Sequence, residues 1–278
     1  MKLVLTLLVR NEEDIIRENI LYHLNRGVDK IIVTDNNSED GTLDLLNDFI
    51  KQDVLDLIIE KDDDYAQSKW VTRMAKIAIE KYQADWIIPG DADEFWWPEK
   101  DNLKDFLSEV PDNFLVVEAP RYDFIPMPEK EESLFVRMIF KNLNSLNHIG
   151  KPLPPKICHR SIPGVIIAQG NHKLIYPPDL PVFRSPQFEI MHFPMRSYAQ
   201  FESKIAFGGA ALERNNTLPK TWQKGWRNLY EDYKSGVLPD YYNSMIHSSE
   251  QIEQKMITGQ FCEDTRLRDF LKERSIIT

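Results

Sequence analysis

The sequence predicts an α/β protein with a mostly parallel central sheet flanked by helices. Short apolar segments alternate with amphipathic segments through the first hundred residues. The apolar segments have strand length, and the segments between them carry apolar residues at helical spacing, as in Ile16, Ile20 and Leu24. Strands and helices that alternate in this way are typical of parallel sheets, because a helix returns the chain to the same end of the sheet.

The elements follow in order along the first hundred residues. Strands are predicted over 3–9, 30–34, 54–60 and 86–89, where the segments are rich in Leu, Ile and Val. A helix from Ile16 ends at Gly27, a natural C-terminal cap. A second helix passes through residues 43–50, and a third begins at Ser68 as its N-cap and ends near Tyr82.

Beyond residue 120 the prediction changes to short strands and long loops, because prolines are dense between residues 120 and 194. Helices are predicted again over 197–214 and 221–234 and in the last thirty or so residues. We expect one domain over 1–214, divided near residue 100, and a helical C-terminal extension over 215–278.

The charge balance argues against nucleic acid as a partner. The 278 residues carry 34 Lys and Arg against 44 Asp and Glu, a net charge of -10. Nucleic-acid binders normally carry the opposite balance, because phosphate contacts supply much of their affinity. The same balance argues against a polybasic membrane patch.

The cysteines and the N-terminus favour a cytoplasmic location. Cys158 and Cys262 are too few for a disulfide scaffold and fit a reducing compartment. The first apolar run, residues 3–9, is shorter than a signal-peptide core or a membrane span, and Arg10 follows it at once. We therefore expect no transmembrane segment, although peripheral membrane association remains open because a partner could recruit the chain.

Two acidic segments follow predicted strands and are the candidate sites. Asp91 and Asp93 come directly after the strand WIIPG, where ligands of open α/β sheets bind. Two carboxylates there could share Mg²⁺ or Mn²⁺, and the alternative is an acidic surface turn. Because Trp86, Phe95 and Trp96 surround this segment, the metal site is favoured. Asp35 opens a polar turn after the second strand and would face the same crevice.

Motifs for other chemistries are missing from the sequence. It has no GxGxxG after the first strand, no phosphate-loop GxxxxGK[ST], no GxSxG and no HExxH. Any chemistry must therefore depend on carboxylates and histidines.

The residues TLLVRNEEDIIRENILYHLNRGVDKIIVTDNNSEDGT, followed by ADWIIPGDADEFWW, resemble glycosyltransferases of the GT-A fold, in the family-2-like group. The likeness covers about the first 100 residues and depends on three features in order: Asn-Glu-Glu after the first strand, the polar turn, and Asp-x-Asp. A later segment, IMHFPMRSYAQFESKIAFGG, resembles the histidine-containing segment that closes such domains. The resemblance implies a nucleotide-binding half over 1–100 and an acceptor-side half over 101–214.

The resemblance also implies roles for individual residues. It places Asp35 at the nucleoside of a sugar donor, and Asp91 and Asp93 at the ribose and at a divalent metal, Mn²⁺ or Mg²⁺, on the diphosphate. His192 would complete the metal's coordination, with His172 as its rival. The remaining donor-site residues would frame the nucleotide or neutralise the diphosphate: Arg10, Asn11, Arg196 and Lys204.

Other positions are less specific. The base that would deprotonate an acceptor hydroxyl has no clear match, and Asp123 and Glu189 are the candidates. Lys69 and Arg73, on one helix face, are either exposed or within reach of the diphosphate. The aromatic residues Trp222, Trp226 and Tyr230, spaced by four, are more typical of a packing stripe than of a sugar platform.

The resulting hypothesis is a metal-dependent transfer of a sugar from a nucleotide-diphosphate donor to a hydroxyl acceptor. Family resemblance favours a uridine donor and inversion at the anomeric carbon, and leaves a glycan, lipid-linked or polysaccharide acceptor open. One alternative is a sugar nucleotidyltransferase, whose usual Gly-rich opening is absent. The other is a carbohydrate-binding relative that kept the fold and lost catalysis.

Overall fold

The computed structural model describes residues 1–130, 132–216 and 218–278. Strands and helices alternate through the first part of the chain, as predicted. The elements are β1 (Leu3–Val9), α1 (Ile16–Asn25), β2 (Lys30–Asp35), α2 (Thr42–Lys51), β3 (Leu55–Ile59), α3 (Gln67–Tyr82), β4 (Trp86–Asp91), β5 (Glu94–Pro98), α4 (Leu103–Ser108), β6 (Val116–Ala119) and β7 (Arg121–Asp123).

The proline-rich middle of the chain forms short strands, and helices return near the C-terminus, which confirms both predictions. The elements are α5 (Leu134–Arg137), β8 (Phe140–Asn142), β9 (Lys156–Arg160), β10 (Ile166–Ile167), β11 (Leu174–Tyr176), β12 (Val182–Arg184), β13 (Phe188–His192), α6 (Tyr198–Arg214), α7 (Lys224–Ser235), α8 (Leu238–Met245), α9 (Ser249–Ile257), β14 (Phe261–Glu263) and α10 (Arg266–Glu273). A 3-10 turn lies over Gln169–Asn171.

The chain divides into two compact units. The first unit comprises Met1–Asp62, Ala66–Arg121 and Pro154–Met191. The second comprises Asp63–Tyr65, Tyr122–Leu153 and His192–Thr278. The predicted boundary between residues 214 and 215 separates two parts that are expected to fold independently. The division into compact units does not measure independent folding, so this boundary stays a prediction.

A seven-stranded sheet forms the centre of the first unit, in the order β12-β6-β9-β4-β1-β2-β3. β1 pairs in parallel with β2 and β4, β2 pairs in parallel with β3, and β12 pairs in parallel with β6. β9 alone is antiparallel to its neighbours β4 and β6. The fold class is therefore confirmed as α/β with a mostly parallel sheet.

Buried aliphatic side chains hold the sheet to α3. Val4 and Ile32, on β1 and β2, form one cluster with Met74 and Ala75 of α3, and all four are fully buried. The predicted N-cap at Ser68 is wrong, since α3 begins one residue earlier. The Ser68 hydroxyl instead donates to the carbonyl of Ile167, at 2.5 Å.

In the second unit, α6 and α7 pack closely where α6 carries two adjacent glycines. A Cβ atom on Gly208 would lie 2.7 Å from Cζ3 of Trp226, and one on Gly209 would lie 2.5 Å from Cβ of Tyr230. Trp226 and Tyr230 thus confirm the predicted packing stripe. The prediction is wrong for the third residue of the stripe, Trp222, which lies before α7 and has 55 % of its surface exposed.

The Gly209→Ala variant tests this close approach. Alanine in an exposed helix would stabilise the chain by about 1 kcal/mol. Here we expect the opposite sign, a loss of about 2 kcal/mol of unfolding free energy, because the methyl group would overlap the first atoms of the Tyr230 side chain. Denaturant unfolding gives the value.

The neighbouring variant Gly208→Ala is the matched control. Its methyl group would meet the far edge of the Trp226 ring, which can shift, so its cost should be smaller. A stabilising Gly209→Ala would contradict the close packing of α6 and α7.

Candidate active site at the carboxyl edge of the central sheet

The ends of three parallel strands bring the candidate residues to one edge of the sheet. In the pairing register, Asp35 lies opposite Val9 and Asp91 lies opposite Leu8, on either side of β1. Because neighbouring strands lie about 4.8 Å apart, the two aspartates are roughly 10 Å apart along the edge. This distance suits a ligand that spans both strand ends.

The loop after β1 and the turn after β2 are tied together by hydrogen bonds. The backbone N–H of Asn11 donates to Oγ of Ser38 at 3.0 Å, and the N–H of Glu39 donates to Oδ1 of Asn11 at 2.7 Å. The N–H of Gly41 donates to the carboxylate of Glu13 at 2.7 Å. Asn11, predicted to frame a nucleotide, therefore fixes the shape of the turn that follows Asp35.

Asp35 carries a carboxylate oxygen without a partner. The side chain is 1 % exposed, and its Oδ1 accepts the N–H of Ser38 at 3.1 Å. Its Oδ2 is buried and makes no hydrogen bond. Since a buried, unsatisfied carboxylate oxygen is costly, this atom is suited to accept an N–H or O–H from a ligand.

Glu60 follows β3 directly and pairs with Arg73 of α3, and the sequence analysis assigns no role to Glu60. Nη1 of Arg73 lies 2.9 Å from the Glu60 carboxylate, while Nε and Nη2 of Arg73 are buried without hydrogen-bond partners. Burial acts to raise the pKa of Glu60, but the Asp62 N–H and the Arg73 charge hold it below its usual value. Arg73 thus places N–H donors at the end of β3.

A buried asparagine of α1 fixes the turn between β4 and β5. Asn19 is fully buried, and its amide nitrogen donates to the carbonyls of Ala92 and Glu94, both at 2.9 Å. Asp93, inside this turn, is 2 % exposed. The predicted Asp-x-Asp motif is therefore part of a rigid, mostly buried turn.

Lys156 forms ion pairs with two carboxylates at this turn. Its ammonium lies 2.5 Å from Oδ2 of Asp91 and 3.0 Å from Oε1 of Glu94, and Arg121 is also 3.0 Å from Glu94. A divalent ion on Asp91 would lie beside this ammonium, and like charges repel. In this geometry Oδ2 of Asp91 is already paired with a cation of the chain itself.

Asn171 and His172 lie beside Asp91 and Lys156. The amide nitrogen of Asn171 donates to Oδ1 of Asp91 at 3.3 Å, and its own Oδ1 is buried without a partner. Nδ1 of His172 lies 2.8 Å from the carbonyl of Pro155. Burial, and next the charge of Lys156, lower the pKa of His172 to about 4, so this histidine is neutral at pH 7.

His192 belongs to the second unit, where it pairs with a predicted base. Its Nδ1 lies 2.5 Å from Oδ1 of Asp123, whose backbone N–H donates to Oγ of Ser145 at 2.8 Å. Among the residues described, no three His, Cys, Asp or Glu side chains form a group that could hold a metal ion. The metal site over Asp91, Asp93 and His192 stays a prediction.

The remaining predicted residues lie in different elements of the chain. Arg196 is 1 % exposed and precedes α6, and its Nη1 donates to the carbonyl of Phe193 at 3.2 Å. Lys204 lies within α6, and Glu189 lies in β13. Arg10 follows β1 directly. Their predicted roles stay predictions.

The fold and the strand-end site define an α/β protein with a buried acidic and basic cluster at its carboxyl edge. None of the helices in the described parts of the chain has the length and apolar character needed to cross a membrane. No protein-family model matches the sequence, and no curated protein matches it.

Several solved structures show a low-level likeness. S. aureus TarS 1-349 in complex with UDP-GlcNAc aligns over 94 % of this chain and 93 % of its own, with 11 % identity and a TM-score of 0.44. TarS 1-349 alone aligns over 94 % of this chain and 92 % of its own, with 11 % identity and a TM-score of 0.43. Glucosyl-3-phosphoglycerate synthase from Mycobacterium tuberculosis covers 43 % of this chain and 44 % of its own, at 15 % identity and a TM-score of 0.29. Likeness at these TM-scores assigns neither activity nor substrate.

The charge of Lys156 beside His172 leads to a testable pKa change. In a Lys156→Met variant we expect the pKa of His172 to rise above about 4, because a like charge is removed. It should stay below 6.5, because burial, the larger cause, is unchanged. NMR titration of the histidine ring resonances measures both values.

His159 is the matched control for this titration. It lies on the same strand as Lys156, and its pKa is also lowered to about 4, by burial without a contribution from Lys156. Its pKa should not change in the variant. Equal changes at both histidines would mean that the strand has loosened and that the charge of Lys156 is not the cause.

Proposed function

We propose that the chain is a glycosyltransferase of the GT-A type, which transfers a sugar from a nucleoside-diphosphate donor to a hydroxyl acceptor. The observation that carries this proposal is the unpartnered Oδ2 of Asp35 at the carboxyl edge, one strand removed from Asp91. Ligands of open α/β sheets bind at this edge. A nucleoside at Asp35 and a diphosphate sugar near Asp91 match the roughly 10 Å between the two strand ends.

The donors and acceptors at the ends of β2 and β3 support a uridine donor. Uracil presents one ring N–H between two carbonyl oxygens. Asp35 offers an acceptor for that N–H, and Arg73 offers buried N–H donors for a carbonyl oxygen. Each of these bonds would satisfy a group that is unpaired in the structure, which favours this base.

The reaction forms one bond and breaks one bond at the anomeric carbon. An acceptor oxygen bonds to this carbon, the bond to the diphosphate oxygen breaks, and the leaving nucleoside diphosphate takes the electron pair. The acceptor proton passes to a base, for which Asp123 and Glu189 remain the candidates. Inversion follows from attack on the face opposite the leaving group, and the acceptor remains a glycan, lipid-linked or polysaccharide hydroxyl.

Calorimetric titration with UDP, GDP, CDP, ADP and dTDP tests the proposal. We expect one nucleoside diphosphate to bind wild type. Asp35→Asn keeps an oxygen for the Ser38 N–H but replaces the second acceptor with an amide group. Because a hydrogen bond to a charged group contributes about 1.5–3 kcal/mol, this variant should bind both the nucleotide and its nucleoside about ten to a hundred times more weakly.

Asp29→Asn, just before the opposite end of the same strand, is the matched control, and its affinity should equal that of wild type. If no nucleoside diphosphate binds wild type, the proposed function is wrong. Turnover separates the alternatives: a sugar nucleotidyltransferase would consume a nucleoside triphosphate and a sugar 1-phosphate. A binding protein would bind carbohydrate without cleaving a donor.

A further inference from the structure

The strand-end carboxylates already hold a cation that belongs to the chain itself. We propose, on the basis of the proposed function, that Lys156 supplies the positive charge that binds the donor's diphosphate, so that donor binding requires no divalent metal ion. The same lysine would stabilise the negative charge that develops on the leaving diphosphate. This proposal differs from the metal site predicted from the sequence.

The antiparallel direction of β9 explains how a lysine reaches this position. Ile87 of β4 pairs with His159 of β9, so the first residue of β9 lies beside the carboxyl end of β4. That first residue is Lys156, and its side chain is 2 % exposed. Its ammonium is therefore fixed at the edge where ligands bind.

Hydrogen-bond capacity leaves one donor of Lys156 for a ligand. An ammonium group has three N–H donors. Asp91 accepts a hydrogen bond from Lys156 at 2.5 Å and Glu94 forms an ion pair with it at 3.0 Å, so two of the donors face carboxylates. The third is the donor that we assign to a phosphate oxygen.

Local charge balance also argues against a divalent ion at Asp91. Glu94 is fully buried and lies 3.0 Å from both Lys156 and Arg121. Two carboxylates and two cations therefore cancel among these four groups. Both carboxylates are thus already paired with cations of the chain itself.

Asn171 gives a second and independent indication of a ligand at this position. It is fully buried, its amide nitrogen donates to Asp91, and its Oδ1 has no partner. A hydroxyl group of a ribose or a sugar could donate to that oxygen. The acceptor of Asn171 and the third donor of Lys156 would then bind neighbouring parts of one donor molecule.

In the transfer step, Lys156 keeps its proton and acts by charge alone. As the bond between the anomeric carbon and the diphosphate oxygen breaks, the electron pair moves to that oxygen. A fixed ammonium near the diphosphate stabilises this charge more in the transition state than in the ground state, which lowers the barrier.

Calorimetry in the presence of EDTA tests the proposal directly. The titrant is the nucleoside diphosphate that binds wild type, in EDTA and then in Mg²⁺ or Mn²⁺, and we expect dissociation constants within about threefold of each other, less than 1 kcal/mol. Lys156→Met should bind the nucleoside diphosphate about ten to a hundred times more weakly, as expected for loss of a bond to a charged group. Binding of the free nucleoside should be unchanged, because it carries no phosphate.

Lys30→Met is the matched control. Lys30 is also a buried lysine held by two carboxylates, Asp53 and Asp56, but it lies at the first residue of β2, on the opposite edge. Its loss should leave both affinities unchanged. A Lys156→Arg variant, which keeps the charge, should retain nucleoside-diphosphate binding in EDTA.

The outcomes separate this proposal from the proposed function. If wild type binds the nucleoside diphosphate only with metal, Lys156 is not the required cation and the proposal fails, while the proposed function stands. Unchanged affinity in Lys156→Met also overturns it. If Lys156→Met does not fold, the EDTA titrations of wild type and Lys156→Arg decide. If wild type binds neither nucleotide nor nucleoside, the proposed function itself fails.

Discussion

The pairing of β1 with a parallel strand on each side is the constraint on which the candidate site depends. Leu3, Leu5 and Leu7 of β1 are fully buried, so this strand cannot shift in register without exposing the core. Because β2 and β4 run in the same direction as β1, their last residues lie at one edge of the sheet. Asp35 and Asp91 are therefore held at a fixed separation by hydrophobic packing that lies away from the site itself.

The reversed direction of β9 determines which charges accompany the two aspartates. Lys30 and Lys156 are both the first residue of a strand, and both are buried and paired with two carboxylates. Lys30 lies at the amino edge because β2 is parallel to its neighbours, whereas β9 brings Lys156 to the carboxyl edge. Burial acts to lower the pKa of Lys30, but Asp53 and Asp56 raise it above its usual value. Two similar ion-pair clusters thus differ in their place on the sheet.

The apolar strands and the strand-end aspartates could be predicted from sequence because their signals are local. A run of buried aliphatic residues identifies a strand, and a polar turn marks its end. Lys156 could not be found in this way. It lies 65 residues from Asp91 in the sequence, and only the direction of β9 brings it to that aspartate. The pairing of His192 with Asp123, 69 residues apart, is equally non-local. Both pairings depend on which groups the tertiary fold places beside an element that the sequence predicts.

A built-in lysine also suits the electrostatics of this chain. The net charge is -10, which at long range opposes the approach of a diphosphate. Salt screens exposed charges beyond about 10 Å, so the groups at the site dominate once the ligand is close. There, Lys156 and Arg121 offset Asp91 and Glu94, and the cations are already oriented by the buried carboxylate of Glu94. The cost of ordering this charge is met during folding, so a ligand that binds at this edge would meet a fixed ammonium.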